Sequence, residues 1–87
     1  MPAPAPPAPG LGQYIRDHRK AANLSQLQLA QLLGLHQTIV SDWERGRGLG
    51  SVPRHASSLV AHIKAEPEGI KRLWWDEMGG YLVPLAA

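Results

Sequence analysis

The sequence predicts an all-α fold, a compact domain of five short helices behind a short flexible N-terminal tail. Three observations predict it. The 87 residues allow one small domain with a modest core, which favours helices over large sheets. From Leu11 onward, apolar residues recur at helical spacing in stretches broken by glycine or proline. Within that run, Ser25 followed by Gln28 has the form of a capping box, and Gly34 offers a helix stop.

The elements follow in order. Residues 1–10 are proline, alanine and glycine after the initiator methionine, a composition that removes amide donors and keeps the chain extended and disordered. In "LGQYIRDHRKAA", Leu11, Ile15 and Ala22 lie near one stripe with Tyr14 beside them, which predicts the first helix. The second runs from the Ser25 cap to Gly34, with positions 24, 29, 30, 32 and 33 able to face a core and Leu27 off that stripe. A third short helix is expected over about 37–45. It ends in "RGRGLG", where Gly46, Gly48 and Gly50 predict a flexible turn and no element. Pro53 sits where a fourth helix can begin, with Ala56, Leu59, Val60 and Ile63 at helical spacing. A fifth, at about 67–78, turns Ile70, Leu73 and Trp74 inward and closes at Gly79–Gly80. The domain is thus 11–78, and 79–87 is an apolar tail that docks on the domain, pairs with another copy or hangs free.

Composition narrows the function. Basic residues exceed acidic ones by 9 to 7, a net charge of only +2. The excess is concentrated in the first two-thirds of the chain, where Arg16, Arg19, Lys20, Arg45, Arg47 and Arg54 face only Asp17, Asp42 and Glu44. That is where an electrostatic footprint for a polyanion would lie. Without cysteine there is no disulfide or thiolate site, and the four histidines are too scattered to share a metal. No stretch approaches a membrane span, and the opening residues do not form a secretory signal, so a cytoplasmic protein is expected, nucleoid-associated when bound to DNA. No serine–histidine–acid, paired-carboxylate or phosphate-cradle pattern appears. An enzyme, a cofactor and a small-molecule ligand are therefore not expected.

The second and third helices, joined through Gly34 and Leu35, form a tight two-helix unit. Ala30 supplies the small residue at their crossing, and Val40 and Trp43 pack back against Leu29 and Leu33. The string "LGQYIRDHRKAANLSQLQLAQLLGLHQTIVSDWERG" carries "IR..R", "LSQ..LA..LG" and "VS.WE.G" without a gap. It resembles the phage-repressor (Cro/cI-type, XRE-like) helix-turn-helix family over residues 11 to about 63, and loosely to 78. The resemblance implies a lambda-repressor-like domain whose third helix enters the DNA major groove. The glycine-rich loop after that helix is longer than the family's usual connection.

At about 100° per residue from Gln37, Ser41 lies near 40°, Arg45 near 80° and Thr38 near 100°, with Trp43 and Val40 near 240° and 300°. Gln37, Thr38 and Ser41 thus form a polar face whose chemistry suits base edges, and the resemblance implies base contact at the same positions. It also implies that Gln26, just after the Ser25 cap, meets a phosphate. Arg45, Arg47 and Arg54 are the expected further phosphate contacts, which position without reading sequence. By the same resemblance, Arg19 pairs with Glu44 and orients the third helix.

Asp42, near 140°, borders the reading face. It has three readings: acceptor from a cytosine amino group, partner of Arg45 or a neighbouring arginine, or contact for a basic protein surface. Ile39 is expected to be half-buried against the first or fourth helix. Trp74 and Trp75 cannot both face one core, so one belongs at an edge, where tryptophan anchors interfaces. Family members commonly bind near-palindromic DNA as two-fold dimers, and Trp74, Trp75, Tyr81 and Leu82 are the expected dimer contacts.

The leading expectation is a sequence-specific DNA-binding regulator acting as a homodimer: a repressor, antitoxin or phage switch protein. The alternative is a protein-interaction module that keeps the fold and meets a protein partner through Leu27, Ile39 and Asp42.

Overall fold

In the computed structural model, which describes residues 10–78, Leu11 and Ile15 are fully buried and Arg19 continues their stripe one turn on. These belong to α1, Leu11–Ala21, whose last turn carries His18, Arg19 and Lys20 against the negative end of the helix dipole. Asn23 takes the left-handed conformation at φ 61° and turns the chain toward the second helix.

The capping box closes in both directions at the start of α2, Gln26–Leu33. Ser25 Oγ accepts from the Gln28 amide at 3.0 Å, and Gln28 Oε1 accepts from the Ser25 amide at 2.8 Å. Gly34 ends the helix at φ 71°, ψ 30°, a region that a side chain resists. Leu29 and Ala30 are fully buried, and Leu24 and Leu33 are half-buried. Leu32 corrects the expected stripe, since 47% of it remains exposed. A two-turn helix covered on one side buries a narrower arc than apolar composition alone would allow.

The third helix, α3 (Gln37–Glu44), buries Val40 and Trp43 and leaves Ile39 half-buried against the same core. It crosses α1 at Gly12, where a Cβ would overlap the Trp43 carbonyl and come within 2.9 Å of that of Glu44. This close approach needs a residue without a side chain, a requirement that helical period does not reveal.

The glycine-rich stretch also differs from expectation. Gly46 and Gly48, at φ 82° and 62°, do form a turn. Gly50, however, lies in a 3-10 helix, Leu49–His55, that contains Pro53 and buries Leu49 and Val52. Two indoles anchor this segment. Trp43 Nε1 donates to Ser51 Oγ at 3.0 Å, and Trp74 Nε1 donates to the Leu49 carbonyl at 2.9 Å. A buried indole N–H needs an acceptor, and the loop supplies both.

Leu59 and Ile63 are buried from α4 (Ala56–Ile63), which ends at Lys64 with φ 54°. Then α5 (Pro67–Met78) buries Ile70, half-buries Leu73, Trp74 and Met78, and leaves Trp75 45% exposed. Tyr14 Oη accepts from the Glu66 amide at 2.8 Å and ties α1 to the start of α5. Residues 1–9 of the expected 1–10 tail, and the expected 79–87 tail with the Gly79–Gly80 closure, lie outside the described residues. No described helix is long and apolar enough to cross a membrane.

Candidate nucleic-acid interface

With Val40 and Trp43 locked into the core, the opposite side of α3 is turned outward. Gln37 and Thr38 are exposed on it, and Ser41 and Asp42 are half-buried. Beyond its end, Arg45, Arg47 and Arg54 are exposed and make no ion pair among the described residues. The described residues thus include a polar face on α3 and three exposed cations that follow it in the chain, groups chemically able to hydrogen-bond base edges and to bind phosphates.

Both ends of α3 are held by side chains. At its C-terminal end Arg19 meets Glu44 through two parallel bonds, Nε to Oε2 at 2.7 Å and Nη2 to Oε1 at 3.0 Å. Their side chains are only 10% and 4% exposed. Arg19 Nη1 also donates to the Leu24 carbonyl at 2.7 Å, and Gln26 Nε2 donates to Glu44 Oε1 at 3.2 Å. One carboxylate therefore joins the end of α1, the start of α2 and the end of α3. A fork-to-fork pair fixes orientation as well as distance, so it resists rotation of α3 against α2.

Gln26 has one of its two amide protons in that network, which leaves the other for an anion near the start of α2. The first amides of α2 precede its first internal hydrogen bond and add to the positive potential there.

At the N-terminal end the cap is His36, a residue that the sequence reasoning left without a role. Its Nδ1 accepts from the Thr38 amide at 3.3 Å and lies 3.0 Å from Thr38 Oγ1. Imidazole is outside the usual set of capping side chains, and its place directly before the helix was the available signal. Ser51, acceptor for the buried Trp43 indole, was also missed. Gly12 was read only as part of the first helix.

The expected pairing of Asp42 with Arg45 is not formed, and the Asp42 carboxylate makes no hydrogen bond or ion pair among the described residues. The physical reason is exposure: Arg45 lies in solvent, where such a pair is worth little. The cytosine and protein-surface readings of Asp42 remain.

Of the residues expected at a dimer contact, Trp75 is exposed, whereas Trp74 is half-buried with its indole bonded to Leu49. Tyr81 and Leu82 lie outside the described residues. Among the described residues, no three histidine, aspartate or glutamate side chains are grouped to hold a metal ion.

A helix-turn-helix family model matches residues 15–50, from the middle of α1 through α3 into the 3-10 helix. The "ImmF control region 10 kDa protein" of Bacillus phage phi105 is 46% identical over 73 residues, which span 82% of this chain and 80% of the phage protein. No solved structure matches the chain. The family match falls on the α2–α3 unit and its brace, and the phage relative extends well beyond it on both chains. The chain belongs to the phage-repressor (Cro/cI-type, XRE-like) helix-turn-helix family, whose members are DNA-binding regulators and not enzymes.

Proposed function

We propose that this chain is a sequence-specific transcriptional regulator, a repressor, antitoxin or phage switch protein, that reads the DNA major groove with α3. One observation carries the reading: α3, braced at its C-terminal end by Arg19 and Glu44 and capped by His36, leaves Gln37 and Thr38 exposed and Ser41 half-buried, with exposed Arg45, Arg47 and Arg54 following in the chain. Gln37 is suited to adenine through two bonds, Thr38 and Ser41 hydrogen-bond a base, and Asp42 accepts from cytosine. Gln26 and the three arginines hold phosphates. The relative's name, from an immunity control region, supports the switch role.

The protein acts in the cytoplasm, on the nucleoid when bound, as a two-fold dimer on a near-palindromic site. Exposed Trp75 on α5 is the anchor we assign to that contact, with Trp74, Tyr81 and Leu82 beside it. Replacing Trp75 with Glu and deleting 79–87 should each reduce the mass in solution from dimer to monomer. A dimer unchanged in both discards the assignment.

Binding of the protein to its own promoter region and to unrelated DNA at two salt concentrations tests the main reading. Three arginines, each neutralising one phosphate, give a slope of about −2.7 in log K against log salt. Per protein copy, a fourfold rise in salt then weakens binding about 40-fold on either DNA, while the ratio between them persists. Gln37→Ala should relax preference at one base pair by about 1–3 kcal/mol. Equal binding to both DNAs at every salt refutes the reading. It would favour a protein-interaction module, for which exposed Leu27 and Leu32 on α2, with Ile39 and Asp42 on α3, are the candidate surface.

A further inference from the structure

We infer that His36 sets the sense in which Thr38 hydrogen-bonds a base, making the pair a directional reader that accepts and does not donate. The inference rests on α3 reading DNA and adds which bases position 38 selects.

The argument begins with a lone pair. The Thr38 amide has only a proton to offer, so His36 Nδ1, 3.3 Å away, must be unprotonated to accept it. A neutral imidazole with an unprotonated Nδ1 carries its proton on Nε2, because the bond made at one ring nitrogen fixes the state of the other. Thr38 Oγ1 lies 3.0 Å from the same Nδ1. Two acceptors cannot bond to each other, so the hydroxyl must be the donor in that contact, sharing the lone pair with the amide.

A hydroxyl has one proton and two lone pairs. With its proton turned to His36, Thr38 Oγ1 presents only lone pairs to a partner outside the helix. In the major groove, amino donors are carried by adenine and cytosine, whereas guanine N7 and O6 and thymine O4 are acceptors. Position 38 therefore favours the amino bases at the edge it meets. A threonine without this neighbour rotates its proton to suit any of the four.

Two measurements on the full chain test this. Nitrogen-15 NMR of histidine-labelled protein should show the His36 ring protonated at Nε2 and bare at Nδ1; the opposite tautomer overturns the inference whether or not DNA binds. In the second, the base pair met by Thr38 is located with Thr38→Val, which keeps the shape and removes the hydroxyl, and all four bases are compared there. The expected preference for an amino base is about two- to thirteenfold, the range of one net hydrogen bond. His36→Ala should bring it below about twofold without altering the preference at the Gln37 base pair, and His36→Asn, which retains an acceptor, should restore it. In the Thr38→Val background, His36→Ala should leave base preference unchanged. An equal loss of affinity on every sequence, with discrimination intact, reduces His36 to a helix cap and overturns the inference. So does a wild-type preference for guanine or thymine. Sequence preference lost with Gln37→Ala but untouched by His36→Ala refutes this inference alone; no sequence preference in any variant refutes the DNA reading beneath it.

Discussion

Replacing Glu44 with Ala exposes the energetics of the brace. The substitution removes a carboxylate whose side chain is 4% exposed and strands a guanidinium that is 10% exposed. Arg19 keeps its bond to the Leu24 carbonyl but loses both bonds to Glu44, and Gln26 loses its acceptor as well. A buried charge left without its partner costs about 3–5 kcal/mol, whereas a pair in open water is worth about 0–1 kcal/mol. The low exposure of both side chains selects the larger figure. That is a large part of the about 5–10 kcal/mol expected for a domain of this size. Arg19→Met should be costly for the mirror reason. The double variant Arg19→Met/Glu44→Leu leaves no charge to strand and fills the space with apolar atoms, so it should lie within about 2 kcal/mol of the parent. Urea unfolding at neutral pH, followed by helical circular dichroism and tryptophan emission together, measures the cycle. A Glu44→Ala cost below about 1 kcal/mol would refute the reasoning, as would a double variant that loses the sum of the singles.

Gly12→Ala improves helix propensity by about 1 kcal/mol but drives a methyl group against the Trp43 and Glu44 carbonyls. Overpacking should dominate, with a net loss of about 1–3 kcal/mol and a lower Tm; a Tm equal to or above the parent's contradicts the close crossing. Ser51→Ala leaves the buried Trp43 indole without its acceptor and should cost about 1–3 kcal/mol in urea unfolding, with Ser51→Thr recovering most of it. A neutral Ser51→Ala would mean that the indole does not depend on that hydroxyl.

What the sequence made legible was local or periodic. Ser25, Gln28 and Gly34 mark α2 because capping chemistry acts over a few residues. Val40 and Trp43 separate from Gln37, Thr38 and Ser41 because a helix turns by a fixed angle. The Arg19–Glu44 contact joins residues 25 positions apart, and family resemblance rather than period pointed to it. Other features depend on neighbours that no local pattern specifies. Glycines in "RGRGLG" signalled flexibility, yet Leu49 and Val52 are buried in a 3-10 helix that accepts bonds from the Trp43 and Trp74 indoles. Gly12 matters only through the distance between α1 and α3. Leu32 is apolar and still outside the core, since nothing among the described residues covers that side of α2. The Asp42–Arg45 pairing is not formed because Arg45 is exposed, where water competes for its guanidinium.

The shortness of α3 limits vocabulary. Its 8 residues span about 12 Å, which is the rise of about three or four base pairs. A word of four letters recurs by chance about once in 256 positions, far too often to name one address among the million or more competing sites in a genome. Two such words at a fixed separation recur about once in 65,000, and further pairs in a row multiply that figure again. For a reader built on this helix, information therefore resides less in any single copy than in how many copies sit together and how far apart they are held. Under the proposed function, regulation by the concentration of the protein would follow, because each added word is read only when another copy is available to read it.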